Sequence, residues 1–284
     1  MIDVLLATYR PDAEWVHAQI DSIRAQTDVG VNLICREDVE GLGARENFSA
    51  LLGESTADYV AFADQDDVWL PAKLAKCLAK LLELGSQYGR ETPLLVFCDG
   101  YVTDETLKQC PGTVISRQKV NVAKGLAFSR LLMQNFIPGN AMLFNAALRE
   151  KAGPVPEEAI MHDSWLALVA AAFGHIAFVN EPLYCYRQHG VNALGATTAD
   201  ARPTAPSTAN PTTRVRLRSG LGIYRSPPQS TRMLSRIISS DRLSNRNGIS
   251  TRSKRLETIS TQRIGFSSAI LALTVLNCER MPNV

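Results

Sequence analysis

The most informative stretch of the chain is YVAFADQDD, residues 59–67. Its first five residues are apolar or aromatic, which predicts a strand buried on both faces of a sheet. This strand leads directly into three carboxylates within four positions, those of Asp64, Asp66 and Asp67. In open α/β sheets, ligands bind beyond the carboxyl ends of the strands. The stretch therefore predicts an acidic ligand site at a sheet edge.

Strands and helices alternate on both sides of this stretch. Such alternation predicts an α/β fold with a mostly parallel central sheet flanked by helices. Helices are expected after Asp12, over residues 44–52, after Pro71 and from about residue 164 to 173. The other predicted strands are residues 2–7, 31–35, 94–98, 141–144 and 176–179.

The acidic cluster has a direct chemical interpretation. Three carboxylates so close together repel one another unless a cation lies among them. Oxygen ligands suit a hard divalent ion such as Mg²⁺ or Mn²⁺, which also takes phosphate oxygens from a nucleotide diphosphate. Such an ion would stabilise a departing diphosphate. The alternative is a solvated acidic turn that caps the following helix.

The formal net charge of +2 conceals two unlike parts. Residues 1–196 hold 16 basic and 24 acidic side chains (−8), whereas residues 197–284 hold 14 and 4 (+10). We therefore predict a folded domain over 1–196 and a basic, weakly ordered or partly helical tail over 197–284. Three interpretations of the tail stay open: a contact with acidic phospholipids, a solvated segment, or translation out of frame. No nucleic-acid-reading motif accompanies its arginines, so nucleic-acid binding is not expected.

The cysteines and the apolar runs indicate the compartment. None of the six cysteines has zinc-ligand spacing, which favours buried, reduced thiols in a cytosolic protein. The run at residues 2–7 predicts a first strand rather than a signal peptide. Residues 264–276 are too few to span a bilayer. We expect a cytoplasmic protein whose membrane contact, at the inner face, would be peripheral and made through the basic tail.

Four motifs follow one another along the chain. They are VLLATYRP (4–11) continuing through QIDSIRAQT (19–27), ADQDDVWLPAKL (63–74), HDSWLAL (162–168) and YRQHG (186–190). In order and spacing they resemble those of bacterial family 2 glycosyltransferases. The similarity covers about residues 2–196 and is closest to the rhamnosyltransferase-like branch that builds surface polysaccharides.

The resemblance implies a GT-A fold and an inverting, metal-dependent transfer of a sugar. The donor would be a nucleoside-diphosphate sugar, the metal ion Mn²⁺ or Mg²⁺, and the acceptor a saccharide or a lipid-linked saccharide. In the donor site, the resemblance assigns Thr8 and Tyr9 to the nucleotide pocket and Asp38 to the base. The chain departs from the family at residues 36–39, which replace the usual Asp-Asp-Gly-Ser-like turn and leave the nucleotide open.

The resemblance also assigns the diphosphate end of the donor. Asp66 matches the direct metal ligand, and Asp64 matches the position near the ribose or the metal. Arg187 matches a residue near the diphosphate, where a guanidinium suits phosphate geometry. His189 would contact phosphate or metal. Asp67 either assists the metal site or caps the next helix.

On the acceptor side, Asp163 matches the base that deprotonates the attacking hydroxyl. Its alternative is an ordinary helix N-cap. His162 would orient Asp163 or the acceptor, or simply fill space. Gly139 and Asn140 resemble an acceptor-side turn. For Trp69 and Trp165, packing is favoured over sugar stacking.

Two other functions compete with this interpretation. A sugar-phosphate nucleotidyltransferase would carry a Gly-rich basic loop after the first strand, and residues 10–12 do not provide one. A degenerate, non-catalytic homologue that binds a nucleotide or a glycan stays open because of the divergent turn at residues 36–39 and the unusual tail.

Overall fold

The computed structural model describes residues 1–189, so the tail and the boundary at residue 196 lie outside the described residues. Within this part, eight strands form a single sheet. They are β1 (Ile2–Thr8), β2 (Val31–Glu37), β3 (Tyr59–Asp64), β4 (Val68–Trp69), β5 (Leu94–Thr103), β6 (Gln109–Thr113), β7 (Met142–Asn145) and β8 (His175–Arg187).

The helices lie between these strands, as the alternating pattern predicts. Asp12 caps the first helix as expected, because its side chain accepts the backbone N–H groups of Glu14 and Trp15. The helices are α1 (Ala13–Arg24), α2 (Ala44–Glu54), α3 (Lys73–Tyr88), α4 (Val114–Gln118), α5 (Val122–Gly125), α6 (Phe128–Met133), α7 (Ala146–Ala152) and α8 (His162–Phe173), with a 3-10 turn at Gly139–Ala141.

The strand order is β2-β1-β3-β7-β5-β8-β4, and β6 pairs with β5. β1 is parallel to β2 and β3, and β5 is parallel to β8. β7 lies antiparallel between β3 and β5 and joins the two parallel groups. The predicted α/β architecture is therefore confirmed, with β4, β6 and β7 running against the common direction of the other described strands.

The core lies on both faces of this sheet. β1, β3 and β5 are the most apolar strands and are almost completely buried, as their continuous hydrophobic runs predict. Helix α8 is apolar on nearly every side and is buried from Ser164 to Ala170. Trp165 on this helix is core, and its indole N–H donates to the carbonyl of Ala152. No helix within residues 1–189 is both long enough and apolar enough to cross a membrane.

The last strand is longer than the sequence pattern predicts. The predicted strand ends at Val179, yet β8 continues to Arg187 and pairs with β5 up to Thr103. The register shifts where Asp99 faces Pro182, a residue that has no N–H to donate to the ladder. Beyond this irregularity, β8 also pairs with the short strand β4, which directly follows the acidic cluster. The extension therefore carries Arg187 and His189 to the predicted site.

The expectation of buried thiols holds only in part. The five cysteines among the described residues are free, and Cys77 and Cys98 are buried. Cys35, by contrast, is exposed. It lies on β2, which is an edge strand covered less completely than the centre of the sheet.

Gly174, between α8 and β8, is expected to tolerate no side chain. A Cβ built there would lie 1.6 Å from the backbone carbonyl oxygen of Pro93. We expect Gly174→Ala to lower the free energy of unfolding by about 4 kcal/mol or more, because backbone must move. Urea denaturation followed by circular dichroism measures the change. The control is Gly53→Ala in α2, where no atom lies within 4 Å. It should be neutral or stabilise by up to about 1 kcal/mol, and equal midpoints for the two variants would contradict the packing described here.

Candidate active site

The site begins where β1, β2 and β3 end at one edge of the sheet. Ala7 is the ladder partner of Asp64, and Thr8 is the partner of Glu37. We define residues 64–67 as the acidic turn. The predicted nucleotide residues Thr8 and Tyr9, at the end of β1, therefore lie beside its first residue. This is the arrangement expected from strands that run in parallel.

The acidic turn also lies close to the predicted base. Burial, together with the negative charges of Asp66 and Asp163, raises the pKa of Asp64 to about 7, and Lys73 opposes the rise. Asp163 is on α8, almost a hundred positions away in the chain. The predicted metal turn and the predicted base thus belong to one electrostatic site.

Asp66 is paired with His189. The Nε2 atom of His189 lies 2.7 Å from a carboxylate oxygen of Asp66, so the two predicted metal ligands are in direct contact. Across residues 1–189, no three His, Cys, Asp or Glu side chains are grouped closely enough to form a ready metal site. The donors present, two carboxylates and an imidazole, are of types that Mn²⁺ accepts, and they supply part of a coordination shell.

Asp67 has a structural role. It is fully buried, and its carboxylate accepts the side-chain amide of Asn140 and, at 3.3 Å, the backbone N–H of Arg187. Burial, together with the charges of Asp66 and Asp64, raises its pKa well above the usual range. The helix-capping alternative for Asp67 is wrong, because α3 starts only at Lys73 and no side chain caps it.

Lys73 and Asn140 extend this buried network. The Lys73 ammonium donates to the carbonyl of Asn140 at 2.7 Å and lies 3.2 Å from the ring centre of Trp69. Burial lowers the pKa of Lys73. The side-chain amide of Asn140 thus contacts the acidic turn, and its backbone carbonyl contacts Lys73. Lys73 was missed from the sequence, although its spacing from Cys77 and Leu81 places a charge on the buried face of α3.

A second support comes from buried polar side chains at the end of α1 and just after it. Ser22 accepts the backbone N–H of Trp69 at 3.0 Å. Gln26 donates to the carbonyl of Leu70 at 2.8 Å and accepts the N–H of Leu74 at 2.9 Å. These bonds hold the chain just after the acidic turn and explain the polar residues of the QIDSIRAQT motif.

Asp163 is held by donors on three segments. Its carboxylate accepts hydrogen bonds from the backbone of Ser164 and of Gly139 and from the side chain of Asn135. Burial nevertheless raises its pKa to about 6. The N-cap of α8 is Met161, so the alternative that Asp163 is an ordinary N-cap is wrong. Asn135 was not singled out from the sequence because it lies in an irregular segment.

His162 is buried between two aromatic rings. Its ring centre lies 3.9 Å from that of Phe48 and 4.7 Å from that of Phe62, and burial lowers its pKa to about 3. Gly139 packs against it, since a Cβ at Gly139 would lie 2.7 Å from His162 Nε2. His162 is therefore neutral near pH 7. Its ring packs against the Gly139 backbone, which lies beside Asp163.

Trp15 of α1 was not singled out from the sequence. It contacts Arg187, the last residue of β8, and His189, which lies two residues further on. The Arg187 guanidinium lies 4.9 Å from its ring centre, and the His189 ring lies 4.7 Å from it. Arg187 is 4% exposed and donates through Nε to the carbonyl of Asp66 at 2.8 Å and through a terminal nitrogen to the carbonyl of Glu105. In this arrangement Arg187 shapes the acidic turn from the β8 side.

The predicted base contact, Asp38, organises its own loop. Its carboxylate accepts the backbone N–H groups of Gly43 at 2.7 Å and Leu42 at 2.9 Å, and these bonds lower its pKa. Its own N–H donates to the carbonyl of Thr8 at 2.8 Å. Tyr9, which follows Thr8 in the chain, is exposed, and its ring lies beside Gly41 of the same loop. Thr8, Tyr9 and Asp38 are therefore brought together beside the acidic turn.

Comparisons with known proteins agree with the motifs. No protein-family model matches the chain. An uncharacterized glycosyltransferase of Nostoc sp. strain PCC 7120 is 25% identical over 239 residues, which cover 73% of this chain and 71% of that protein.

Two solved structures show a weaker likeness. TarS of S. aureus, in complex with UDP-GlcNAc, is 12% identical with a TM-score of 0.48, covering 90% of this chain and 70% of TarS. The mannosyltransferase PcManGT of Pyrobaculum calidifontis, in complex with GDP-Man and Mn²⁺, is 13% identical with a TM-score of 0.46, covering 100% of this chain and 76% of that one. At such values these likenesses do not define a function. By sequence, the chain is similar to a glycosyltransferase over most of its length.

Proposed function

We propose that this chain is an inverting, metal-dependent glycosyltransferase of the GT-A type. It would move a hexosyl or deoxyhexosyl group from a nucleoside-diphosphate sugar to a saccharide or lipid-linked saccharide acceptor. The similarity to the Nostoc glycosyltransferase supports the reaction class. The motifs favour the rhamnosyltransferase-like branch and a role in surface polysaccharide synthesis.

One observation supports the proposal most strongly. Asp64 experiences the charges of both Asp66, on the acidic turn, and Asp163, on α8. A glycosyltransferase needs its diphosphate-binding end and its acceptor base on either side of one sugar, within a few ångströms of the reacting carbon. Carboxylates that share an electrostatic site in this way satisfy that requirement.

Asp66, His189 and Asp64 would hold Mn²⁺ or Mg²⁺. When bound, the ion would supply positive charge to the leaving diphosphate. Burial and the charges of Asp66 and Asp163 raise the pKa of Asp64, and a bound cation would favour its ionised form. The network of Asp67, Asn140 and Lys73 would keep the turn in place while Asp64 and Asp66 bind the ion.

Asp163 would accept the proton of the acceptor hydroxyl as the oxygen attacks the anomeric carbon. Its pKa of about 6 keeps it ionised at neutral pH and close to the operating pH, where a general base is most effective. Asn135 and Gly139 would orient its carboxylate through their hydrogen bonds. His162, which is uncharged, would add no competing positive charge.

The domain division and the membrane contact remain part of the proposal. The transferase domain would occupy residues 1–196, with Thr8, Tyr9 and Asp38 at the nucleotide end of the donor. The basic tail, residues 197–284, would contact acidic headgroups at the inner face of the membrane, where a lipid-linked acceptor lies.

The transfer rate is expected to fall in acid. Only the ionised form of Asp163 accepts a proton, and burial raises its pKa to about 6. With saturating Mn²⁺, kcat/KM should therefore be constant above pH 7 and fall about tenfold per pH unit well below pH 6. A pH–rate profile measures this limb. A profile that stays flat down to pH 4.5 would rule out a base with this raised pKa.

Release of nucleoside diphosphate distinguishes the proposal from its rivals. The chain is incubated with UDP-, GDP- and dTDP-sugars, Mn²⁺ and a mixture of short saccharides, and free diphosphate is measured. A transferase releases nucleoside diphosphate from one class of donor, whereas a nucleotidyltransferase releases inorganic pyrophosphate from a nucleoside triphosphate and sugar phosphate. Binding of donor without any release would favour the non-catalytic homologue.

A further inference from the structure

Gln65, the uncharged residue of the acidic turn, makes two hydrogen bonds to the backbone of Tyr9. The Tyr9 N–H donates to Oε1 of Gln65 at 2.8 Å, and Nε2 of Gln65 donates to the Tyr9 carbonyl at 3.2 Å. The two residues are 56 positions apart in the chain. A side-chain amide can satisfy a donor and an acceptor of the same residue in this way, whereas a carboxylate or an apolar side chain cannot.

These bonds continue the pairing of β1 with β3 beyond the ends of the strands. The last ladder partners are Ala7 and Asp64, and the Gln65 side chain takes over where the backbone ladder stops. Arg10 follows with a φ of 44°, in the left-handed region that disfavours residues other than glycine. The bonds from Gln65 therefore hold the chain at the start of a strained turn.

Gln65 links two parts of the site that have different tasks. On one side, the Thr8 carbonyl next to Tyr9 accepts the N–H of Asp38, which connects to the proposed base-binding loop. On the other side, Gln65 lies between Asp64 and Asp66 in the turn proposed to hold the metal ion. Gln65 thus connects the Tyr9 backbone to the segment that carries both of these carboxylates.

We propose that Gln65 is a positioning residue that couples nucleotide binding to metal binding at the acidic turn. This inference rests on the proposed function. In it, Gln65 makes the affinity of the site for the metal ion depend on bound nucleotide. Each ligand favours the turn geometry that the other needs, so each increases the affinity for the other by the same factor. Two hydrogen bonds of ordinary net strength correspond to a factor of about five to thirty.

Isothermal titration calorimetry of the full chain measures this coupling. The affinity for Mn²⁺ is determined without and with saturating UDP, GDP or dTDP, and the ratio of the two values is the coupling factor. We expect Gln65→Met to reduce this factor at least about fivefold. The affinity for Mn²⁺ alone should change less than about twofold. Gln109→Met, at an exposed position on β6, is the matched control and should retain the full factor.

A second variant guards against a folding defect. Gln65→Glu keeps an acceptor for the Tyr9 N–H but cannot donate to the Tyr9 carbonyl. Its added charge acts on the metal ion whether or not nucleotide is present, so it should strengthen Mn²⁺ binding without restoring the coupling. An unchanged coupling factor in either variant with a native circular dichroism spectrum overturns the role of Gln65. If the unaltered chain shows no nucleotide binding at all with Mn²⁺, the proposed function itself fails instead.

Discussion

Asp66→Ala is expected to abolish metal-dependent donor binding and transfer. Asp66 is the carboxylate in contact with His189. Its neighbour Asp64 experiences the charge of Asp163, and Asp67 is buried in a structural network with Asn140. Asp66 is therefore the member of the turn best placed to bind an ion. Loss of several kcal/mol of charge stabilisation corresponds to a decrease in kcat/KM of about a thousandfold or more.

Calorimetry with UDP or GDP, at several Mn²⁺ concentrations, measures the binding part of this prediction. The control is Asp21→Ala, an exposed carboxylate on α1 that removes the same charge from the domain. Nucleotide binding should depend on Mn²⁺ in the control and lose that dependence in Asp66→Ala. If both variants bind nucleotide with the same Mn²⁺ dependence, the assignment of Asp66 is wrong.

Asp163→Asn is expected to separate binding from chemistry. The amide keeps the size of the side chain but cannot accept the acceptor proton at neutral pH. General-base catalysis contributes about 10²–10⁴-fold, so kcat should fall by that factor. Donor affinity should change much less than kcat, because Asp163 is on α8 whereas the proposed nucleotide residues are on β1 and beside the loop at residues 39–43.

Initial rates of nucleoside diphosphate release and calorimetric donor affinities measure the two effects. Asp58→Asn, at an exposed position before β3, is the control for removing a carboxylate and should leave both unchanged. A rate for Asp163→Asn close to that of the unaltered chain would exclude Asp163 as the base. A parallel loss of donor affinity and rate would instead indicate a role in binding.

Much of the fold could be predicted from hydrophobic runs. The stretch at residues 59–64 is the strand that the sequence indicates, and the acidic turn lies at the carboxyl edge of the sheet as expected. The antiparallel insertion of β7 between β3 and β5 could not be predicted, because pairing depends on contacts far apart in the chain and not on local pattern.

The position of the candidate site could be predicted from the sequence, but the residues that hold the acidic turn in place could not. Clustered acids at a strand end mark the site itself. Whether a given acid faces solvent or is buried depends on partners from distant segments, as Asp67 shows with Asn140 and Arg187. The sequence therefore left a helix cap open as one alternative for Asp67, and no local pattern indicated that Trp15 lies beside the turn.

The central claim is that the chain binds one class of nucleoside-diphosphate sugar through its acidic turn. The most direct test is a thermal-shift screen of the full chain against UDP-, GDP- and dTDP-linked sugars, with and without Mn²⁺. We predict a rise in melting temperature with one class of donor, only when Mn²⁺ is present, and no such rise for Asp66→Ala. No shift with any donor, or an equal shift in Asp66→Ala, would contradict it.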